Sequence, residues 1–306
     1  MKIKAWLLLL FCNLFWAGNM IVGKIVTAQF PTVWMIFARW LIAFLFLLPL
    51  AHFLEHPKWW KLFKENYQIL LFMSVIGTAL YNWITYTALR YTTSLNASLI
   101  NALNPGLIIL FSAILLHARM KIGQIIGLVL SFAGVLLVIT KGQPLLVFQT
   151  HYNKGDALML IVIFMWAIYS IVGRAAKNVP PITLITITSF IGFIVTLPFL
   201  PLYPIKLSNL NLSAVIGIVF IGIFPSFLSF VMWNMATRML GPGVAGLSMN
   251  LICIFTAIIS AILGAKLLPS QIIGGLIIIF GIALSSGTPL FHRKVSLKKA
   301  ELFNKP

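Results

Sequence analysis

The sequence predicts an all-α polytopic membrane protein: ten transmembrane helices in two inverted five-helix repeats, with both termini cytoplasmic. Three observations predict it. Of 306 residues, 61% are hydrophobic and 8% charged, whereas a soluble domain carries about a quarter charged residues, so most of this surface must face lipid. Apolar runs long enough to cross a bilayer recur ten times. One phrase is also written twice: FWAGNMIVGK at 15–24 and MWAIYSIVGR at 165–174 share Trp-Ala, then Ile-Val-Gly, then a basic residue.

The spans follow from counting runs of about 20 apolar residues, the length that crosses the hydrocarbon core as a helix. Residues 1–141 hold runs at 5–26, 32–53, 68–89, 94–116 and 122–140. Residues 155–289 hold runs at 155–176, 182–203, 211–233, 242–264 and 270–288. The sizeable connections are 54–67 and the loop joining the halves, 142–154; a basic cytoplasmic tail occupies 290–306. Lys2 and Lys4 before an apolar run, with VTA at 26–28, resemble a signal peptide, but Asn13, Asn19 and Lys24 within the run argue for a retained first helix. In span 4, Asn104-Pro105 removes a backbone hydrogen bond and predicts a bend, as Pro225 does in span 8. Gly123-x-x-x-Gly127 in span 5 and Ser270-x-x-x-Gly274 in span 10 are close-packing faces, read as scaffold ahead of a homodimer seam.

Orientation comes from the 22 basic residues, set against four acids. With the N-terminus inside, 15 Lys and Arg fall on the cytoplasmic side and six outside, leaving Arg39 within span 2. This is the positive-inside bias. It accounts for the +18 charge through lipid contact, and no polar basic domain exists to host nucleic acid. Cys12 and Cys253 lie apart in apolar runs and suggest neither a disulfide framework nor a metal site.

The repeat extends beyond its opening phrase. SAIL at 112–115 recurs at 260–263, GQIIG at 123–127 echoes SQIIGG at 270–275, and Gly134 pairs with Gly281. Offsets stay between 147 and 150. Because five is odd, the second unit enters from the opposite side, an arrangement that in carriers places the solute site between the halves.

Trp-Ala in span 1, FARWLIA in span 2, YNWITYTALRYTTSLNASLINALNPGLI across spans 3 and 4, and KGDALMLIVIFMWAIYSIVGR opening the second half resemble the drug/metabolite transporter superfamily, specifically its ten-helix EamA-like exporters. The resemblance implies a multi-pass carrier of a bacterial cytoplasmic (inner) membrane that exports amino acids or other small metabolites. The sequence departs from that pattern at Ala118 and Ala265, where the family's spans 4 and 9 end in Glu, and at Cys253, where span 9 carries Pro. A family ion pair at those ends is therefore not carried over to Arg119 and Lys266.

Polar groups in lipid require partners, so those in the spans must face other helices or a wet cavity. In span 1, Asn13, Trp16, Asn19, Met20 and Lys24 share one face of about 140°. Span 6 repeats it with Trp166, Tyr169, Ser170 and Arg174. Tyr81, Asn82, Tyr86, Asn101 and Asn104 from spans 3 and 4, with Ser229, Trp233 and Asn250 from spans 8 and 9, complete the candidate solute-binding set. Each has a bland reading as core packing or an interhelical hydrogen bond. Arg39 reads either as a structural arginine bonded to helix-end carbonyls or as counter-charge for a substrate carboxylate; Lys24 and Arg174 stand near span ends, where such side chains snorkel. No acid or histidine lies deep in a span, so a cationic solute lacks a partner and a neutral or zwitterionic one fits better. The expectation is a secondary carrier working by alternating access, not an enzyme, with no cofactor or metal, a small-molecule solute and lipid as partners, and a monomeric or homodimeric state. The alternatives are a multidrug exporter of bulky aromatic or cationic compounds and a non-transporting scaffold.

Overall fold

The computed structural model describes residues 2–92, 97, 100–116, 122–149, 153–176, 178–205, 212–264, 266 and 268–285. Among these the chain is helical, with no strand. The helices are α1 (Lys2–Gln29), α2 (Thr32–Glu55), α3 (Trp59–Tyr91), α4 (Asn104–Leu116), α5 (Ile122–Ile139), α6 (Lys154–Ala175), α7 (Pro181–Leu202), α8 (Leu212–Leu240), α9 (Pro242–Ile262) and α10 (Pro269–Ser285). Eight are long and apolar enough to cross a membrane; α4 and α10 are apolar but shorter. Large apolar side chains such as Leu45, Ile216 and Leu276 are exposed on the outer faces of these helices, where lipid replaces water as their favourable surrounding. Ala118, Arg119, Ala265, the basic tail and the side chain of Arg174 lie outside the described residues.

Two helices outrun their apolar stretches. α3 begins at Trp59, nine residues before the predicted start, and turns most of the 54–67 connection into helix. Its first turns support themselves in the polar layer through a Lys61–Glu65 pair at 3.8 Å and Lys64 over the Trp60 ring. α8 continues to Leu240 because Asn234 and Thr237 donate to the carbonyls of Phe230 and Trp233 one turn back, satisfying their own polarity. The joining loop contains one further turn of helix, Leu146–Gln149.

The central helices are interrupted at matching places. α3 is wound as π-helix over Met73–Leu80, and α8 over Gly222–Leu228. Pro225 explains the second, as predicted; the first has no proline. α4 begins at Asn104 after a turn at Ala102–Leu103, and α9 tightens to 3-10 over Ser248–Asn250. Cys253, standing where α4 has Pro105, lies in regular helix just past that 3-10 turn.

Contacts come in pairs that exchange with the halves. α1 packs on α8 and α9, as α6 packs on α3 and α4. α2 lies antiparallel to α7, with Phe44 near Phe190 and Leu47 near Thr186. α5 lies antiparallel to α10 in a close seam: a Cβ on Gly134 would stand 2.6 Å from the Gly274 carbonyl oxygen, and one on Gly281 would stand 2.6 Å from that of Gly127. The two small-residue motifs read from the sequence thus both lie in this seam within one chain, Gly123 and Gly127 against Leu284 and Gly281, and Ser270 and Gly274 against Gly142 and Gly134.

Candidate solute-binding cavity

The centre is built on an aromatic pair from equivalent positions. Trp16 of α1 and Trp166 of α6 meet edge to face at 5.1 Å, with Trp233 of α8 at 5.4 and 5.6 Å from them. Trp16 donates its Nε1 hydrogen to the Pro225 carbonyl at 3.1 Å, so the π-wound turn of α8 provides the acceptor that fixes it. Trp166 stacks on Tyr169 at 5.2 Å and lies 5.1 Å from Tyr81, while its buried Nε1 has no hydrogen-bond partner.

A cavity of about 30 Å³ sits against this pair, lined by Trp16, Asn19, Met20, Arg39, Tyr81, Asn82, Asn101, Trp166, Phe230, Met249 and Ile252. It is the size of one or two waters. It shares Met20 with a 250 Å³ cavity lined by Lys24, Leu89, Ala97, Thr256 and Ser260. That cavity shares Lys24 and Leu89 with a 730 Å³ vestibule carrying Thr27, Phe30, Arg90 and Tyr203. The series of shared residues thus runs from the centre to the end of α1 that bears Lys24.

Arg39 is 2% exposed and is not held by helix-end carbonyls, contrary to the structural reading of the sequence. Its Nε donates to Ser226 Oγ at 2.8 Å, and its Nη1 donates to Asn82 Oδ1 at 2.5 Å and Tyr86 OH at 2.6 Å. Each neutral partner is anchored in turn. Tyr86 donates to Asn19 Oδ1 at 2.9 Å, Asn82 to the Thr78 carbonyl at 2.7 Å, and Ser226 to the Ile221 carbonyl at 2.6 Å. The carbonyls of Thr78 and Ile221 belong to or adjoin the two π-wound turns, so those distortions place the arginine's partners.

Eight of the predicted residues therefore line the central cavity: Trp16, Asn19, Met20, Arg39, Tyr81, Asn82, Asn101 and Trp166. Tyr86 and Asn104 stand behind them, Asn104 donating to Asn101 Oδ1 at 3.0 Å. Asn13 donates to Ser248 Oγ at 3.0 Å and Ser229 donates to the Phe224 and Cys12 carbonyls, which ties helices together, while Ser170 donates back to the Trp166 carbonyl within α6; none of the three lines the cavity. Tyr169 is beside Asn234 but outside hydrogen-bond geometry, and neither amide atom of Asn250 has a partner. Lys24 lies in the outer cavities. Phe230, Met249 and Ile252 are lining residues that the sequence did not mark, since an apolar side chain in an apolar run carries no signal.

The far end of the bundle is closed by polar contacts. Glu55 at the end of α2 accepts from the backbone N–H groups of Ile182 at 3.0 Å and Thr183 at 2.7 Å, and from Thr183 Oγ1 at 2.6 Å, capping α7. Arg238 of α8 donates to the carbonyls of Ala176 and Val179 in the turn before α7. At the Lys24 end, Asp156 at the start of α6 forms a capping box with Asn153 and accepts from Thr92, which explains its burial. Among the described residues no group of three His, Cys, Asp or Glu could hold a metal ion.

A model of the EamA-like transporter family matches residues 3–140 and again 153–287. The transporter YyaM of Bacillus subtilis, uncharacterized by its name, is 29% identical over 227 residues, 73% of this chain and 74% of that protein. The aromatic amino acid exporter YddG of Ancylobacter novellus is 27% identical over 100 residues, 33% of this chain and 35% of its own. A solved crystal structure superposes with a TM-score of 0.75 at 18% identity, covering 93% of this chain and 96% of that one, a likeness of fold.

Proposed function

The chain belongs to the EamA-like transporter family, a multi-pass membrane transporter and not an enzyme, and from that premise we propose that it exports small metabolites, neutral or zwitterionic amino acids in particular, by alternating access. In this reading the polypeptide crosses a bacterial cytoplasmic membrane ten times with both termini inside, works as a monomer or homodimer, and binds solute at the centre with Trp16, Asn19, Arg39, Tyr81, Asn101 and Trp166. The observation that carries it is the central cavity against the paired tryptophans, which shares Met20 with a second cavity that in turn shares Lys24 and Leu89 with the vestibule. A carrier must open to one side at a time, and paired contacts that exchange between the halves provide two equivalent ways of doing so. The aromatic amino acid exporter among the relatives supports the solute class. The multidrug alternative fits less well, because the charge lining the centre is a cation and no acid accompanies it.

The test is exchange of labelled amino acids in proteoliposomes. Trp16→Ala removes a ring 5.1 Å from Trp166, and Asn101→Ala removes a polar wall; each should lower exchange about tenfold, a loss near 1.4 kcal/mol, with protein yield unchanged. Absence of protein-dependent flux across amino acids and a broad metabolite panel would sink the proposal.

A further inference from the structure

Arg39 presents an unbalanced charge at the centre of the molecule. The chain has only four acids, Glu55, Glu65, Asp156 and Glu301. Glu55 caps α7, Glu65 faces Lys61, Asp156 is held in its capping box, and Glu301 lies outside the described residues. Among the described residues the guanidinium meets only neutral partners. Its Nε and both Nη1 hydrogens are used by Ser226, Asn82 and Tyr86, while the two N–H groups of Nη2 make no hydrogen bond. A buried cation with no counter-ion is costly in a membrane, and such residues mark solute pathways. Hydrogen bonding accounts for three of the guanidinium's five N–H groups and does not by itself call for its charge. The charge is what the packing leaves unexplained.

The surroundings indicate what would balance it. Arg39 lines the cavity together with Trp16, Tyr81, Asn101 and Trp166, so an anion reaching Nη2 would have aromatic rings beside it. A guanidinium matches the planar geometry of a carboxylate. The ring faces of Trp16 and Trp166 suit the ammonium end of a zwitterion. The exchanged half offers no second cation, since the corresponding stretch of α7, Thr188 and Ser189, is neutral. The centre therefore has one positive pole, and a solute would enter it in one orientation.

We propose that Arg39 is the receptor for a carboxylate on the transported solute, so that the carrier selects molecules with a free carboxylate over their amides and amines. The inference rests on the carrier reading above and adds the chemical group by which solute is recognised. The cavity must widen for binding, and Met20, which separates it from the next cavity, is the flexible side chain placed to move.

Full-length protein in proteoliposomes is loaded with each of the twenty labelled amino acids, and each unlabelled amino acid is compared with its α-amide as counter-substrate. For every amino acid that exchanges, the amide should compete at least 30-fold more weakly. Arg39→Gln should abolish that discrimination, and Arg39→Lys should restore part of it. In case loss of the arginine prevents folding, Asn82→Asp offers a second route. It places a carboxylate where Oδ1 now lies 2.5 Å from Nη1. That variant should keep its helix content and monodisperse elution while acid affinity falls at least tenfold. Amides competing as well as acids, or Asn82→Asp retaining full acid affinity, would overturn the inference and leave the carrier reading standing. No flux of any acid or amide would overturn both.

Discussion

Tyr86 accepts from Arg39 and donates to Asn19, so one phenol joins α1, α2 and α3 around the centre. Tyr86→Phe leaves an N–H of the arginine and the Asn19 carbonyl without that partner. A hydrogen bond to a charged group contributes about 1.5–3 kcal/mol. The expected result is solute affinity lowered ten- to hundredfold with the helices intact, read by equilibrium binding beside circular dichroism. Residues of this kind were legible in the sequence because a tryptophan, asparagine or arginine in a lipid-spanning run needs a partner. Asn19, Arg39 and Asn101 could be named on that ground alone. The same signal over-reached at Ser170 and Ser229, whose short hydroxyls reach backbone carbonyls directly and need no cavity. It was blind to Phe230, Met249 and Ile252, which look alike whether they face lipid, core or solute.

At the scale of the helix, adjacent glycines on α10 make opposing predictions. A Cβ on Gly274 would stand 2.6 Å from the carbonyl oxygen of Gly134, whereas one on Gly275 would first meet Ile254 at 3.9 Å. Gly274→Ala must push α10 off α5, and overpacking of this kind costs about 1–3 kcal/mol. Gly275→Ala meets only ordinary contact and gains helix propensity, up to about 1 kcal/mol. Thermal denaturation should show the first variant several degrees below the parent and the second at or above it; equal melting temperatures would count against the seam. The faces themselves were visible as G-x-x-x-G spacing, but which face met which was not, since spacing names a surface and not its partner. Helix ends were misjudged for a related reason. Hydropathy stops where lysines begin, yet α3 keeps its backbone hydrogen bonds from Trp59 onward by pairing Lys61 with Glu65.

Across the whole molecule the equivalent turns differ in their contacts: Glu55 caps α7 with no counterpart cap on α2 among the described residues, and the arginine at each turn behaves differently. In the second half, Arg238 holds the turn before α7 through the carbonyls of Ala176 and Val179. In the first half the matching arginine is Arg90 and the matching turn is Val26–Gln29; Arg90 is exposed, makes no hydrogen bond to that turn, and lines the 730 Å³ vestibule with it. A carrier whose halves exchange roles should exchange these grips as it turns over, with Arg90 closing its turn when Arg238 lets go. Each grip biases the equilibrium by its own differential energy and no more. Losing a charged hydrogen bond of about 1.5–3 kcal/mol moves a two-state population roughly ten- to hundredfold. Arg238→Ala should therefore favour the conformation closed at the Lys24 end. Ala28 lies exposed in the vestibule, and the native cysteines, Cys12 and Cys253, are buried, so Ala28→Cys gives a clean label site for a membrane-impermeant maleimide. Adding Arg238→Ala should slow labelling of Ala28→Cys at least tenfold, and adding Arg90→Ala should not slow it. Equal rates in all three backgrounds would mean that the arginine grips do not govern access.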